Sequence, residues 1–174
     1  LEAYVQARGI RSMLDSIIES GKRAAKIVEN MLSFSRKSDS QFTPTDLAEL
    51  LDKTLEIAAT DYDLKKKYDF RQIKIIRDYA PDMPDVMCHQ SQIQQVLLNI
   101  LTNGAQSMAQ EKQISRKPSK FVLRLQHDER WAYIEIEDNG TGMDAEQQKR
   151  IFEPFFTTKN TQEGTGLGLS VSYF

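Results

Sequence analysis

The segment "WAYIEIEDNGTGM", Trp131 to Met143, sets the tightest limit on how this chain folds. Its side chains alternate, with Ala132, Ile134, Ile136 and Asp138 on one face and Trp131, Tyr133, Glu135 and Glu137 on the other. That period specifies a strand with one buried face, which a second layer has to cover. Asp138 falls on the apolar side and is expected to point inward. A carboxylate there keeps its charge only with donors around it, and a bound base with an exocyclic amino group is one natural donor. Gly140 and Gly142 then leave bare backbone for a flat ring to slide against. By itself a D-N-G string is a turn.

Ahead of this strand the chain reads as alternating helices and strands. From Ile10 to Ser35 the residues Ile10, Leu14, Ile17, Gly21, Ala24, Val28 and Met31 recur at spacings of four and three, which is a helical seam. Ile18, Ala25 and Leu32 widen it, so this helix must pack on another. A polar linker follows, Arg36 to Gln41, and Thr43 with Pro44 reads as N-cap and first position of a helix ending near Ala59. Its stripe of Leu47, Leu50, Leu51, Leu55 and Ala58 is expected in the core. Asp61 to Phe70 reads as a solvated turn, and strands are expected at about Ile73 to Tyr79 and, beyond Pro81 and Pro84, at Val86 to Cys88. A helix from Gln92 to Met108 comes next, then a loop at Ser115 to Ser119. A hairpin of strands at Phe121 to His127 and Trp131 to Glu137 completes one sheet.

Four segments, in order, resemble the ATP-binding domain of sensor histidine kinases, in the superfamily that includes gyrase B, the heat-shock chaperones and the mismatch-repair ATPases. "QIQQVLLNILTNGAQSM" from Gln92 resembles the N box, Asp138 to Met143 the first glycine box, "IFEPFFTTK" from Ile151 the F box, and "GTGLGLS" from Gly164 the second glycine box. The resemblance covers about Thr45 to Phe174. It implies an α+β fold, a two-layer α/β sandwich with a mixed sheet and helices on one face, preceded by a long helix of a dimerisation bundle. The expected division is 1–41, the C-terminal part of the dimerisation hairpin and linker, and 42–174, the ATP-binding domain.

The helix from Gln92 carries Ile93, Val96, Leu97, Ile100, Leu101, Ala105 and Met108 on its core side, and Gln92, Gln95, Asn99, Asn103, Gln106 and Gln110 in an uncharged stripe. Asparagine is a poor mid-helix residue, and two of them four apart stack their carboxamides. Amide oxygens suit Mg²⁺, which keeps several waters and binds phosphates at the same time. By resemblance Asn99 and Asn103 hold Mg²⁺ and phosphate, and Asp138, Gly140, Gly142 and Met143 contact adenine. Gly164, Thr165, Gly166, Leu167 and Gly168 then form the phosphate loop, where backbone N–H groups face an anion at a helix start. Asn160 to Gly164 is expected to be a mobile lid. Lys159, and less directly Arg150, are candidate cations for the γ-phosphate. Phe152, Phe155 and Phe156 are expected as core plugs and lid anchors. Where chaperone and gyrase relatives place a glutamate to activate water, this chain has Asn99, which cannot act as a general base. That favours kinase over ATPase. Gly104 departs from the family's usual alanine, a change expected to cost the helix up to about 1 kcal/mol.

The glycines of "GTGLGL" miss the dinucleotide spacing, and the sequence has no G-x-x-x-x-G-K-S/T string. Basic residues number 23 and acidic ones 25, net charge −2, which offers no footprint for nucleic acid. A single cysteine, Cys88, suits a reducing, cytoplasmic setting, whether or not the parent protein is membrane-anchored. Of the two histidines, His89 sits at a strand-to-helix junction and His127 ends a strand, so neither has the context of a phosphoacceptor. The expectation is a kinase domain in a two-component phosphorelay, cut short after Phe174 with an exposed sheet edge. Its expected partners are Mg-ATP, a second copy through the N-terminal helix and a response regulator receiver domain, with no nucleic acid. The alternatives are a conformational ATPase of the same superfamily and a non-enzymatic nucleotide-binding dimer module.

Overall fold

The computed structural model describes residues 9–35, 41–60, 70–115, 117–159 and 164–173. The expected turn at Asp61 to Phe70 except Phe70 itself, most of the Arg36 to Gln41 linker and nearly all of the Asn160 to Gly164 lid lie outside them. Two compact units result, one of residues 38–149 and one joining 1–37 with 150–174.

In the 38–149 unit, β1 (Thr43–Thr45) pairs antiparallel with β3 (Val86–Cys88) as a separate ribbon. The main sheet has the order β2 (Lys74–Tyr79), β4 (Lys120–His127), β5 (Ala132–Asp138), with β2 parallel and β5 antiparallel to β4. Among the described residues two sheets therefore stand where a single one was expected. Helices α2 (Leu47–Thr60) and α3 (Gln90–Ser115) supply the second layer. Leu47, Leu50, Leu51, Leu55 and Ala58 of α2 meet Leu97, Leu101, Ala105 and Met108 of α3 over Phe121, Leu123 and Leu125 of β4.

Thr43 and Pro44 do not open α2. Proline lacks the N–H a central strand needs, but the two-stranded ribbon tolerates it at Pro44, opposite Met87. The cap is Asp46, whose Oδ1 accepts from the N–H groups of Ala48 at 2.8 Å and Glu49 at 3.1 Å. An aspartate one residue before the first helical position satisfies two otherwise orphaned donors, which no residue inside the ribbon can do.

On β5 the period-two pattern holds. Ala132, Ile134 and Ile136 pack against the core, while Glu135 and Glu137 lie on the other side and pair with Arg124. Asp128 closes the hairpin by accepting from the N–H groups of Arg130 and Trp131, both at 2.8 Å, and from the Tyr133 hydroxyl at 2.7 Å. These donors hold its carboxyl below the usual range, the tyrosine first.

In the second unit α1 (Ile10–Ser35) spans the residues expected for the long helix. It touches the last helix, α5 (Gly168–Ser172), which follows the short α4 (Ala145–Arg150), and still leaves Leu14, Ile17, Ile18 and Val28 exposed. Among the described residues no helix is long and apolar enough to cross a membrane.

Candidate functional site

Asp138 is the last residue of β5 and lies opposite Phe121 of β4, on the side of the sheet that α3 covers. Its Cβ sits beside Gly104 of α3, 3.3 Å from where a Cβ would project there. The carboxylate itself is exposed, which corrects the expectation of an enclosed acid: β5 ends at the rim of the core, so the side chain emerges beside the helix. Oδ1 accepts from Gly140 N–H at 2.8 Å, and among the described residues Oδ2 accepts no hydrogen bond.

The turn after Asp138 is tied at two points. Asn139 accepts from the Lys120 N–H at 2.8 Å and donates to the Pro118 carbonyl at 2.9 Å, which fixes the turn to the start of β4. Ser107 Oγ accepts from Thr141 N–H at 3.0 Å and lies 3.2 Å from the Thr141 hydroxyl, which fixes the turn to α3. A side chain at Gly140 would collide with Ser107, so this glycine permits a close approach. Gly142 and Met143 continue the turn, both exposed. Sequence reasoning missed both ties. Ser107 stands four residues beyond Asn103, as Asn103 stands four beyond Asn99, and that continued row was the available signal.

Asn99 and Asn103 are both half-buried on α3, and Gln95 Nε2 donates to Asn99 Oδ1 at 3.3 Å. Among the described residues no group of three or more His, Cys, Asp or Glu could hold a metal. Neutral amide oxygens fit a hard cation whose charge is met chiefly by phosphate rather than by the protein.

The other candidates belong to the second unit. Gly166 adopts φ 65° and Phe155 φ 66°, and Phe155 N–H donates to the Gly166 carbonyl at 2.9 Å. A Cβ at Gly166 would enter the Phe155 backbone, so the F box and the glycine segment are built against each other. A non-glycine residue with positive φ is strained and persists only where surrounding contacts hold it. Phe152 and Phe155 are not core plugs, at 42% and 58% exposed, because this short turn packs backbone against backbone; Phe156 is half-buried. Phe152 packs on Tyr173 at 4.7 Å between ring centroids. Arg150 is engaged within the F box, paired with Glu153 at 2.9 Å and lying 4.3 Å above the Phe156 ring. Half-buried Lys159 lies against Gly164, with its N–H donating to Thr157 Oγ1 at 3.1 Å. Thr165 is half-buried, and Leu167, the N-cap of α5, is buried ahead of Gly168.

Residues 88–173 match the family model described as Histidine kinase-, DNA gyrase B-, and HSP90-like ATPase. The signal transduction histidine-protein kinase AtoS of Escherichia coli is 35% identical over 147 residues, 84% of this chain and 22% of that protein. The sensory histidine kinase/phosphatase NtrB, also from an Escherichia coli strain, is 34% identical over 90% of this chain and 43% of its own. Among solved structures, the catalytic domain of histidine kinase ThkA superposes with a TM-score of 0.54 at 26% identity, covering 75% of this chain and 76% of that one. Full-length ShkA in complex with AMPPNP gives 0.68 at 22% identity over 92% of this chain and 32% of its own, a likeness of fold. In residues 88–173 this chain carries the ATPase domain of this family, in the form that sensor histidine kinases carry as their ATP-binding domain. It spans less than half the length of the curated relatives it matches.

Proposed function

We propose that this chain transfers the γ-phosphoryl group of Mg-ATP to a histidine that lies outside it. The observation that carries the reading is Asp138 at the rim of the two layers, with one carboxylate oxygen held by Gly140 and the other open to a ligand, on the side covered by the helix that bears Asn99 and Asn103. Asp138 Oδ2 would accept from the adenine amino group, and Met143 and the bare backbone at Gly140 and Gly142 would flank the ring. Asn99 and Asn103 would hold Mg²⁺ and phosphate. When bound, the ion would neutralise charge on the phosphate oxygens. By the family resemblance, Gly164 to Gly168 and Lys159 are the further residues proposed for phosphate, the glycine segment through its backbone N–H groups and the lysine as a point charge. In the transfer, the acceptor imidazole nitrogen bonds to the γ-phosphorus as the bond to the bridging oxygen breaks, leaving ADP. This chain contributes positioning and charge neutralisation.

Asn99 supplies no general base, so water in the site goes unactivated and the phosphoryl group is kept for the histidine. Residues 1–41 would be dimerisation helix and linker, 42–174 the catalytic domain. The exposed seam of α1 supports pairing with a second copy, and a receiver domain would take the phosphoryl group onward.

The test is transfer of labelled phosphate from ATP to an added helical-bundle domain carrying the histidine. Rapid phosphate release without transfer would favour a conformational ATPase instead. Asp138→Ala removes a hydrogen bond to a charged group, about 1.5 to 3 kcal/mol, so ATP affinity should fall roughly tenfold to 150-fold. Unchanged affinity by calorimetry would refute the adenine assignment.

A further inference from the structure

We propose that Ser107 is a positioning residue for adenine recognition, acting through the turn that holds Asp138; this rests on the adenine role proposed for Asp138. Asn99, Asn103 and Ser107 follow one another at four-residue steps on α3, a row spanning about 12 Å along the helix. The two amides are the residues proposed for Mg²⁺ and phosphate, and Ser107 touches the turn. Its Oγ accepts from Thr141 N–H at 3.0 Å and lies 3.2 Å from Thr141 Oγ1. Gly140, whose missing side chain makes room for Ser107, donates to Asp138 Oδ1 at 2.8 Å and so orients the carboxylate. The chain of contacts runs from helix hydroxyl to turn backbone to carboxylate, within one compact unit. Asn139 fixes the same turn to β4 from the other side, so the Ser107 contact sets the separation between acid and helix. A hydroxyl at position 107 therefore tunes how Asp138 Oδ2 meets a base carrying an amino group, while the amide row is left intact.

The experiment is titration calorimetry with ADP and with IDP, in which a carbonyl replaces the amino group, on the wild-type chain, Ser107→Ala, Asp138→Ala and the double variant. The wild type should prefer ADP, and Asp138→Ala should abolish the preference. Ser107→Ala keeps the helix, because alanine is the better helix former. It should weaken ADP by about three- to tenfold, the range of one lost neutral hydrogen bond. IDP affinity should stay within about twofold, and the double variant should bind ADP no more weakly than Asp138→Ala alone. If Ser107→Ala weakens ADP and IDP equally, or neither, while Asp138→Ala still abolishes the preference, the positioning role is overturned and the adenine reading stands. If Asp138→Ala keeps the preference, the adenine reading falls and the role of Ser107 with it.

Discussion

At position 104 the missing Cβ does structural work that the sequence concealed. Read along the helix, Gly104 only costs stability; in the fold, a Cβ there would lie 2.6 Å from Cε1 and 2.9 Å from Cζ of Phe121, a ring with no solvent exposure. That ring is walled in and cannot swing away. Gly104→Ala should therefore gain about 1 kcal/mol of helix propensity and lose more to overpacking, which runs at about 1 to 3 kcal/mol. We expect a net loss of about 1 kcal/mol in urea unfolding. In a Phe121→Leu background the sign should reverse, because the clash is gone and the propensity gain remains, so the two changes are strongly non-additive. A second residue-scale prediction concerns Tyr79. Its hydroxyl donates to Asp52 Oδ1 at 3.2 Å, and Arg77 Nε donates to the same oxygen at 2.9 Å. Burial first, then the charge of Asp52 and this hydrogen bond, push the Tyr79 phenol up to about 12 from its ordinary 10.0. The folded chain thus holds a proton that the unfolded chain releases at lower pH. The stability this lends is complete below about pH 10 and disappears as pH rises through about 12. Unfolding free energies measured across that window should fall more steeply for the wild type than for Tyr79→Phe.

Among the elements, α2 shows what a sequence makes legible and what it hides. Its stripe of Leu47, Leu50, Leu51, Leu55 and Ala58 was readable from spacing alone and is the buried face observed. Its start was not. Proline after threonine satisfies the rule for a helix opening, and only the pairing of Thr43–Thr45 with Val86–Cys88, some forty residues away, shows those residues to be a strand. Asp46→Ala removes two hydrogen bonds to Ala48 and Glu49 and should cost about 1 kcal/mol, whereas Thr43→Ala, which caps nothing, should cost less. Thermal unfolding of the two variants separates the assignments. The candidate site divides in the same way. The face carrying Asp138 follows from the strand period, and the amide row follows from the helix period. The tie from Ser107 to Thr141 spans 34 residues, and no local pattern announces it. The exposure of Asp138 was equally hidden, since alternation gives the side of a sheet and not the distance from its rim.

For the whole molecule, what calls for a partner is the seam of α1. Leu14, Ile17, Ile18 and Val28 lie on one broad face and all are exposed, Ile17 at 67%. A helix that shows such a stripe to water is costly, since burying each aliphatic side chain contributes about 1.5 to 3 kcal/mol. A second copy of the same helix supplies a matching stripe, and four-helix bundles form in this way. Sedimentation of the chain should therefore show concentration-dependent dimers. Leu14→Lys combined with Ile17→Lys should shift the population to monomers, because each new ammonium would have to be desolvated at the contact. Nucleotide affinity should be unchanged in the same variant, since neither Leu14 nor Ile17 is among the residues proposed to meet nucleotide. A variant that remains dimeric would move the interface away from the α1 seam. One that becomes monomeric and also loses nucleotide would mean that the dimer helps to build the nucleotide site.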